Sequence, residues 1–206
     1  SPGGTEVAVW ELAPDWTLRQ TIELDGDGHV AAFTSFDQDG DGDLDLVFGF
    51  VGPGSQGLGP PVQRLTNDRG VLTGPSIWSD LDISTLALAS FALDQDGAPE
   101  LLITNSSREE FGGRCRLLDL ATDPPLDSSR ARGFDLSLAG MGMDAADLNG
   151  DGLLDVVVSD TVPVRLLLSD GDPRGTWVDA TAAAALRPAE APPPATAAPT
   201  IGWSVE

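Results

Sequence analysis

Residues 37–45, DQDGDGDLD, place five aspartates at alternate positions. Two unit charges about 4 Å apart repel by roughly 4 kcal/mol at an effective dielectric near 20. A fold that keeps such groups together calls for a cation, and the residue types say which kind. Oxygen ligands at alternate positions suit a hard ion, and Ca²⁺ takes six to eight of them at about 2.3–2.6 Å. On that reading Asp37, Asp39, Asp41 and Asp45 are side-chain ligands at positions 1, 3, 5 and 9 of a loop. Asp43, at position 7, offers its backbone carbonyl, and Gly42 makes the sharp turn at position 6. A divalent ion turns the repulsion into attraction.

The pattern recurs twice. In DLNGDGLLD the ligands are Asp147, Asn149, Asp151 and Asp155, with the Leu153 carbonyl and a turn at Gly152. In ALDQDGAPE, Ala92 stands at position 1 and Glu100 at position 9. Asp94, Asp96 and Glu100 are therefore a degenerate set, expected to bind an ion weakly or not at all. The expectation is about two structural Ca²⁺ ions. The competing explanation is acidic turns held by Asx-type hydrogen bonds without an ion. The DGDG at 25–28 lacks a later acidic partner and reads as a hairpin turn. An EF-hand would need Glu at position 12 and a following helix. Phe48 and Val158 stand there instead, within runs too β-branched and too short for a helix start. A dockerin-type loop also wants a helix, and thrombospondin-type repeats want cysteines.

What positions the loops is a repeat. Gly42, Gly97 and Gly152 lie 55 residues apart, and an equal long period marks an array of one supersecondary unit. Each loop is preceded by a small or apolar segment (HVAAFTSF, LALASFA, GMGMDAA). Each is followed by a short apolar run (LDLVFGF, ELLITN, LDVVVSD). Runs of this length bounded by Gly and Asp fit buried strands. PVQRLT, GRCRLLDL and PVRLLLS supply a third strand, and GVLTGPS and TWVDAT a fourth. The second unit's fourth strand is placed near SSRARGF. Four strands per period describe a propeller blade. The fold class is all-β: antiparallel four-stranded blades forming a partial, about three-blade arc of a β-propeller.

The chain divides accordingly. Residues 1–24 are the end of a preceding blade. Residues 25–79 are a blade with calcium loop 37–45, 80–134 a blade with degenerate loop 92–100, and 135–188 a blade with calcium loop 147–155. Residues 189–200 are a Pro/Ala-rich inter-blade loop, for which a domain linker competes. Residues 201–206, IGWSVE, start the next blade, whose acidic loop would begin about three residues past Glu206.

Composition narrows the function. Thirty-three acidic residues face eleven cations, all arginine, for a formal charge of −22. That disfavours nucleic acid and anionic membrane as partners, although a salt-adapted surface or a GC-rich coding sequence would give similar numbers. No apolar run approaches a membrane span, and no signal peptide opens these residues. Cys115 is alone and cannot pair within the chain; it reads as a small core residue. With one histidine, His29, a His-based triad or zinc site is not expected. Nucleophile-elbow, P-loop and dinucleotide fingerprints are missing.

The DxDGDGxxDL loop between two strands resembles FG-GAP/VCBS repeats, as in integrin α-subunit propellers and many secreted bacterial proteins. The order of GMGMDAADLNGDGLLDVVVSD, LLLSDGDPRGTWVDATAAAAL and IGWSVE is similar to the ASPIC/UnbV-associated, cartilage-acidic-protein-like propellers. RLTNDRGVLT resembles the turn of their blades. The resemblance covers roughly residues 20–206 and implies a seven-bladed propeller when complete. It implies a non-enzymatic calcium-binding scaffold in adhesion or recognition, placed outside the cell, at its surface or in the periplasm. Its partners would be a protein or glycan and the remaining blades. The alternatives are a propeller enzyme whose active site lies elsewhere and a glycan-binding lectin. Trp10, Trp16, Trp78, Trp177 and Trp203 are expected to pack between blades.

Overall fold

The computed structural model describes residues 5–12, 14–52, 60–78, 84–105, 114–138, 140–160 and 164–184. Its elements are all strands. A hairpin, β1 (Glu6–Leu12) and β2 (Trp16–Glu23), comes first. Three four-stranded antiparallel sheets follow. The first contains β3 (His29–Phe36), β4 (Asp45–Val51), β5 (Gln63–Asp68) and β6 (Val71–Ile77). The second contains β7 (Thr85–Phe91), β8 (Glu100–Asn105), β9 (Arg116–Asp119) and β10 (Leu126–Asp127). The third contains β11 (Gly142–Ala146), β12 (Asp155–Ser159), β13 (Arg165–Ser169) and β14 (Trp177–Asp179). Spatial order equals chain order in each, which is the meander of a propeller blade.

In the first two sheets the second strand carries a continuous apolar run because it is covered on both faces. In β4, Val47 faces the second sheet, while Phe48 and Phe50 face the hairpin with Ile22, Leu24, Leu65 and Leu72. In β8, Leu101 and Ile103 join Phe36, Val47 and Trp78 on the first sheet's side. Leu102 turns the other way, onto Phe134, Val156, Val158 and Trp177. Each fully buried aliphatic side chain contributes about 1.5–3 kcal/mol, so these inter-sheet layers hold the array together. The first strands β3, β7 and β11 line a groove whose walls include Ala32, Ala87, Ala89 and Gly142.

Four sequence expectations need correction or placement. The second sheet's fourth strand is the two-residue β10 at Leu126–Asp127, and 129–133, within SSRARGF, forms a turn. Its residues leave the ladder because Ser129 is spent elsewhere: its hydroxyl receives the Leu117 N–H at 2.9 Å. The DGDG at 25–28 is not a hairpin turn, since β2 pairs with β1 and β3 with β4; it connects two sheets. Trp78 and Trp177 are buried between sheets, but Trp10 and Trp16 are 52% and 66% exposed on the hairpin. There a register shift after Val9 puts Trp10 and Leu12 opposite Leu18 and Trp16, on a face that nothing described covers. Trp203, the loop at 189–200 and IGWSVE lie outside the described residues.

Candidate metal centre

Each acidic loop joins the first strand of its sheet to the second. The turns are built from the aspartates themselves. In the first loop Asp39 Oδ1 accepts the Asp41 N–H at 3.3 Å, and Asp41 Oδ1 accepts the Asp43 N–H at 2.8 Å. The second repeats this with Asp94 to Asp96 (3.1 Å) and Asp96 to Ala98 (2.9 Å). The third does so with Asn149 to Asp151 (2.9 Å) and Asp151 to Leu153 (2.8 Å). Position 6 is left-handed in all three, with φ of 95° at Gly42, 96° at Gly97 and 86° at Gly152, a conformation that glycine adopts without a Cβ penalty. Position 4 is left-handed too, and there the second loop carries Gln95 where the others have Gly40 and Gly150.

Position 1 gathers the turn around one carboxylate. Asp37 accepts the N–H groups of Gly40 (2.8 Å) and Gly42 (3.0 Å). Asp147 accepts those of Gly150 (2.7 Å), Asp151 (3.1 Å) and Gly152 (2.9 Å). These donors, Gly152 foremost, hold the Asp147 carboxyl below the usual carboxylate range, so it stays ionised. Ala92 offers the second loop no such oxygen.

Position 9 does something the sequence does not announce. Asp45 and Asp155 are wholly buried. Asp45 Oδ2 accepts the Gln38 N–H at 3.2 Å and Oδ1 the Asn67 N–H at 2.8 Å. Asp155 Oδ2 accepts the Leu148 N–H at 3.0 Å and Oδ1 the Ser169 N–H at 2.8 Å. Each carboxylate thus ties its loop to the end of the third strand. Asp43 also reaches across: its Oδ2 accepts the Arg69 N–H at 2.6 Å.

The carboxylate oxygens of Asp37, Asp39 and Asp41 lie within 4.8 Å of one another, as do those of Asp94, Asp96 and Glu100. Asn149 Nδ2 donates to Asp151 Oδ2 at 2.9 Å, so the third loop's ligands are also gathered. Asp39 and Asp41 each keep Oδ2 beyond the Asx bond made by Oδ1, so hydrogen bonding and metal ligation are compatible at these positions. The all-oxygen donor set fits a hard divalent cation. Among the described residues no arginine pairs with the side chains of Asp37, Asp39, Asp41, Asp45, Asp147, Asp151 or Asp155; the ion pairs at the loops all involve the second.

Residues 93–158 match the FG-GAP-like repeat. The matched stretch runs from the second acidic loop through the third to the end of the apolar run in β12, and it agrees with the meander sheets described above. No curated protein matches the chain. The finer resemblance to ASPIC/UnbV-associated propellers has no relative to rest on.

Arg132 is the functional residue that sequence reasoning missed. It lies 38 residues from Asp94 and 32 from Glu100, yet its guanidinium sits between both. The only sequence signal was an arginine after a loop whose first ligand is missing. Cys115 is buried, and burial pushes its thiol up to about 12; it is inert core, as its isolation implied.

Proposed function

We propose that the chain is a calcium-stabilised β-propeller scaffold in which the first and third acidic loops each hold one structural Ca²⁺. The observation that carries this is the convergence of the Asp37, Asp39 and Asp41 oxygens, none of which is in an ion pair among the described residues. The third loop repeats the turn bond for bond. In the first loop Asp37, Asp39, Asp41 and Asp45 would supply carboxylate oxygen and Asp43 its carbonyl. In the third, Asp147, Asn149, Asp151, Asp155 and the Leu153 carbonyl would do so. The ion's part is to neutralise the loop and pin the first strand to the second. Such sites in extracellular modules bind at about 10⁻⁴–10⁻³ M, which suits a protein outside the cell, at its surface or in the periplasm. The role that follows is adhesion or recognition of a protein or glycan partner, with no catalytic step.

Calorimetric titration of chelator-stripped protein tests the reading. Asp41→Asn and Asp151→Asn each keep the oxygen that makes the Asx bond and remove a charge. Each should delete one of two sites. If both variants bind as the parent does, the assignment is wrong. Exposed Trp10 and Trp16, side by side with Leu12 and Leu18 on the hairpin, favour a glycan as partner. Glycan-array binding that is lost on Trp16→Ala would support that reading.

A further inference from the structure

We propose that Arg132 is a built-in cation that takes the place of the metal ion in the second acidic loop; the inference rests on the ion-binding reading of the other two. Three departures from the repeat coincide there. Position 1 is Ala92, which removes the carboxylate that gathers the turn in loops one and three. Position 9 is Glu100, one methylene longer than Asp45 and Asp155. An arginine from the turn after β10 enters the space.

The register shows that Glu100 is the true counterpart of the buried aspartates. Its Oε2 accepts the Leu93 N–H at 2.6 Å, seven residues back, as Asp45 does from Gln38 and Asp155 from Leu148. The other oxygen differs. In loops one and three it accepts a backbone N–H from the end of the third strand. In loop two Glu100 Oε1 faces Arg132 Nη1 at 3.5 Å, and the same Nη1 lies 3.3 Å from Asp94 Oδ2. The guanidinium therefore bridges positions 3 and 9, as a shared ion would. Glu100 is 1% exposed and Arg132 7%, and a carboxylate that deeply buried needs a charged partner.

The guanidinium is held from the far side as well. Nη2 donates to the Pro173 carbonyl at 2.8 Å, and the group lies 4.6 Å from the Trp177 ring centre. Arg132 O accepts the Trp177 N–H at 3.0 Å. Outside the pocket, Arg174 approaches Asp96 at 3.8 Å. The cation of the second loop thus also joins the second sheet to the third. The junction it forms does not depend on the calcium supply.

The test uses the full chain. Breaking a buried pair costs about 3–5 kcal/mol, so Arg132→Met should raise the unfolding constant in excess chelator at least about 100-fold. Met keeps an apolar stem against Trp177. With Arg132 gone, Asp94, Asp96 and Glu100 are free to take an ion, and calcium should recover more stability in Arg132→Met than in the parent. If Arg132→Met fails to fold, Asp94→Asn in the parent decides. It should weaken the fold equally with calcium and with chelator and leave the number of bound ions unchanged. The proposal is overturned if Asp94→Asn removes a bound ion from the parent, or if calcium recovers no more of the Arg132→Met protein than of the parent. Failure of the underlying reading looks different: Asp41→Asn and Asp151→Asn would leave the parent's titration unaltered, while Arg132→Met would still destabilise the protein in chelator.

Discussion

Asp155 is wholly buried and accepts two backbone N–H groups, from Leu148 at 3.0 Å and Ser169 at 2.8 Å. Asp155→Asn changes almost nothing in shape but leaves one acceptor for two donors. Whichever way the amide sits, its NH₂ faces a part-buried backbone N–H. A lost hydrogen bond to a charged group is worth about 1.5–3 kcal/mol, and a stranded buried donor costs about 1–3 kcal/mol. Weaker repulsion from Asp147 and Asp151 offsets part of this in an ion-free loop. The net expectation is a loss of about 2 kcal/mol, or about 4–8 °C in Tm for a chain of this size. The assay is thermal unfolding by circular dichroism in excess chelator, where no ion contributes. Asp151→Asn is the control: its carboxylate is exposed and its Asx oxygen survives, so it should change Tm in chelator by no more than about 2 °C. It should lose the calcium-dependent rise instead. Asp45→Asn, with donors Gln38 and Asn67, should copy Asp155→Asn. A Tm for Asp155→Asn within about 1 °C of the parent in chelator would refute the view that this carboxylate clamps the loop to β13 before any ion arrives.

Burial, together with the neighbouring Asp94 carboxylate and against the hydrogen bond from Leu93 and the charge of Arg132, pushes the Glu100 carboxyl up to about 7 from 4.5. The folded state then binds this proton more tightly than the unfolded chain. The associated stability is fully present below about pH 4.5 and is lost as pH rises through about 7, a span worth about 3 kcal/mol. Urea midpoints in chelator at pH 5 and pH 8 should differ more in the parent than in Glu100→Gln; equal differences would count against it. Gly133 has φ of 82°, and a Cβ there would lie 2.3 Å from the Trp177 carbonyl oxygen. Gly133→Ala should cost at least about 2 kcal/mol by urea unfolding, from left-handed strain and backbone overlap together; a neutral result would mean the junction of the second and third sheets yields easily. Arg69 and Gly70 form a two-residue hairpin loop with φ of 52° and 84°. That is the turn for which Asn-Gly is favoured, so Arg69→Asn should stabilise by about 0.5 kcal/mol, measured as a rise in urea midpoint.

The blades were legible because their signals are local. A glycine at each left-handed turn and an apolar run after it are each written within a few adjacent residues, and the 55-residue period repeats them. What escaped was set by distance or by competition. The strand near SSRARGF failed because its serines and arginine serve other partners: Ser129 bonds Leu117, and Arg132 leaves for the acidic loop. Trp10 alternates onto the face of β1 opposite Val7 and Val9, and the residue skipped at Arg19 in β2 brings Leu18 and Trp16 onto that same outer face. The second loop is the most instructive case. Its sequence announced a missing ligand, and a missing ligand alone predicts only a weaker site. The structure adds that the deeply buried acid was kept while the exposed one was dropped. That combination makes sense when position 9 is a structural clamp first and a ligand second. Its inner oxygen holds the loop's own backbone in all three sheets, whereas the group facing its outer oxygen changes between a strand N–H and a guanidinium. Loss of position 1 is therefore tolerable wherever the chain can bring its own positive charge to the clamp. Loss of position 9 would strand the loop's own backbone N–H in every one of the three sheets, with or without an ion.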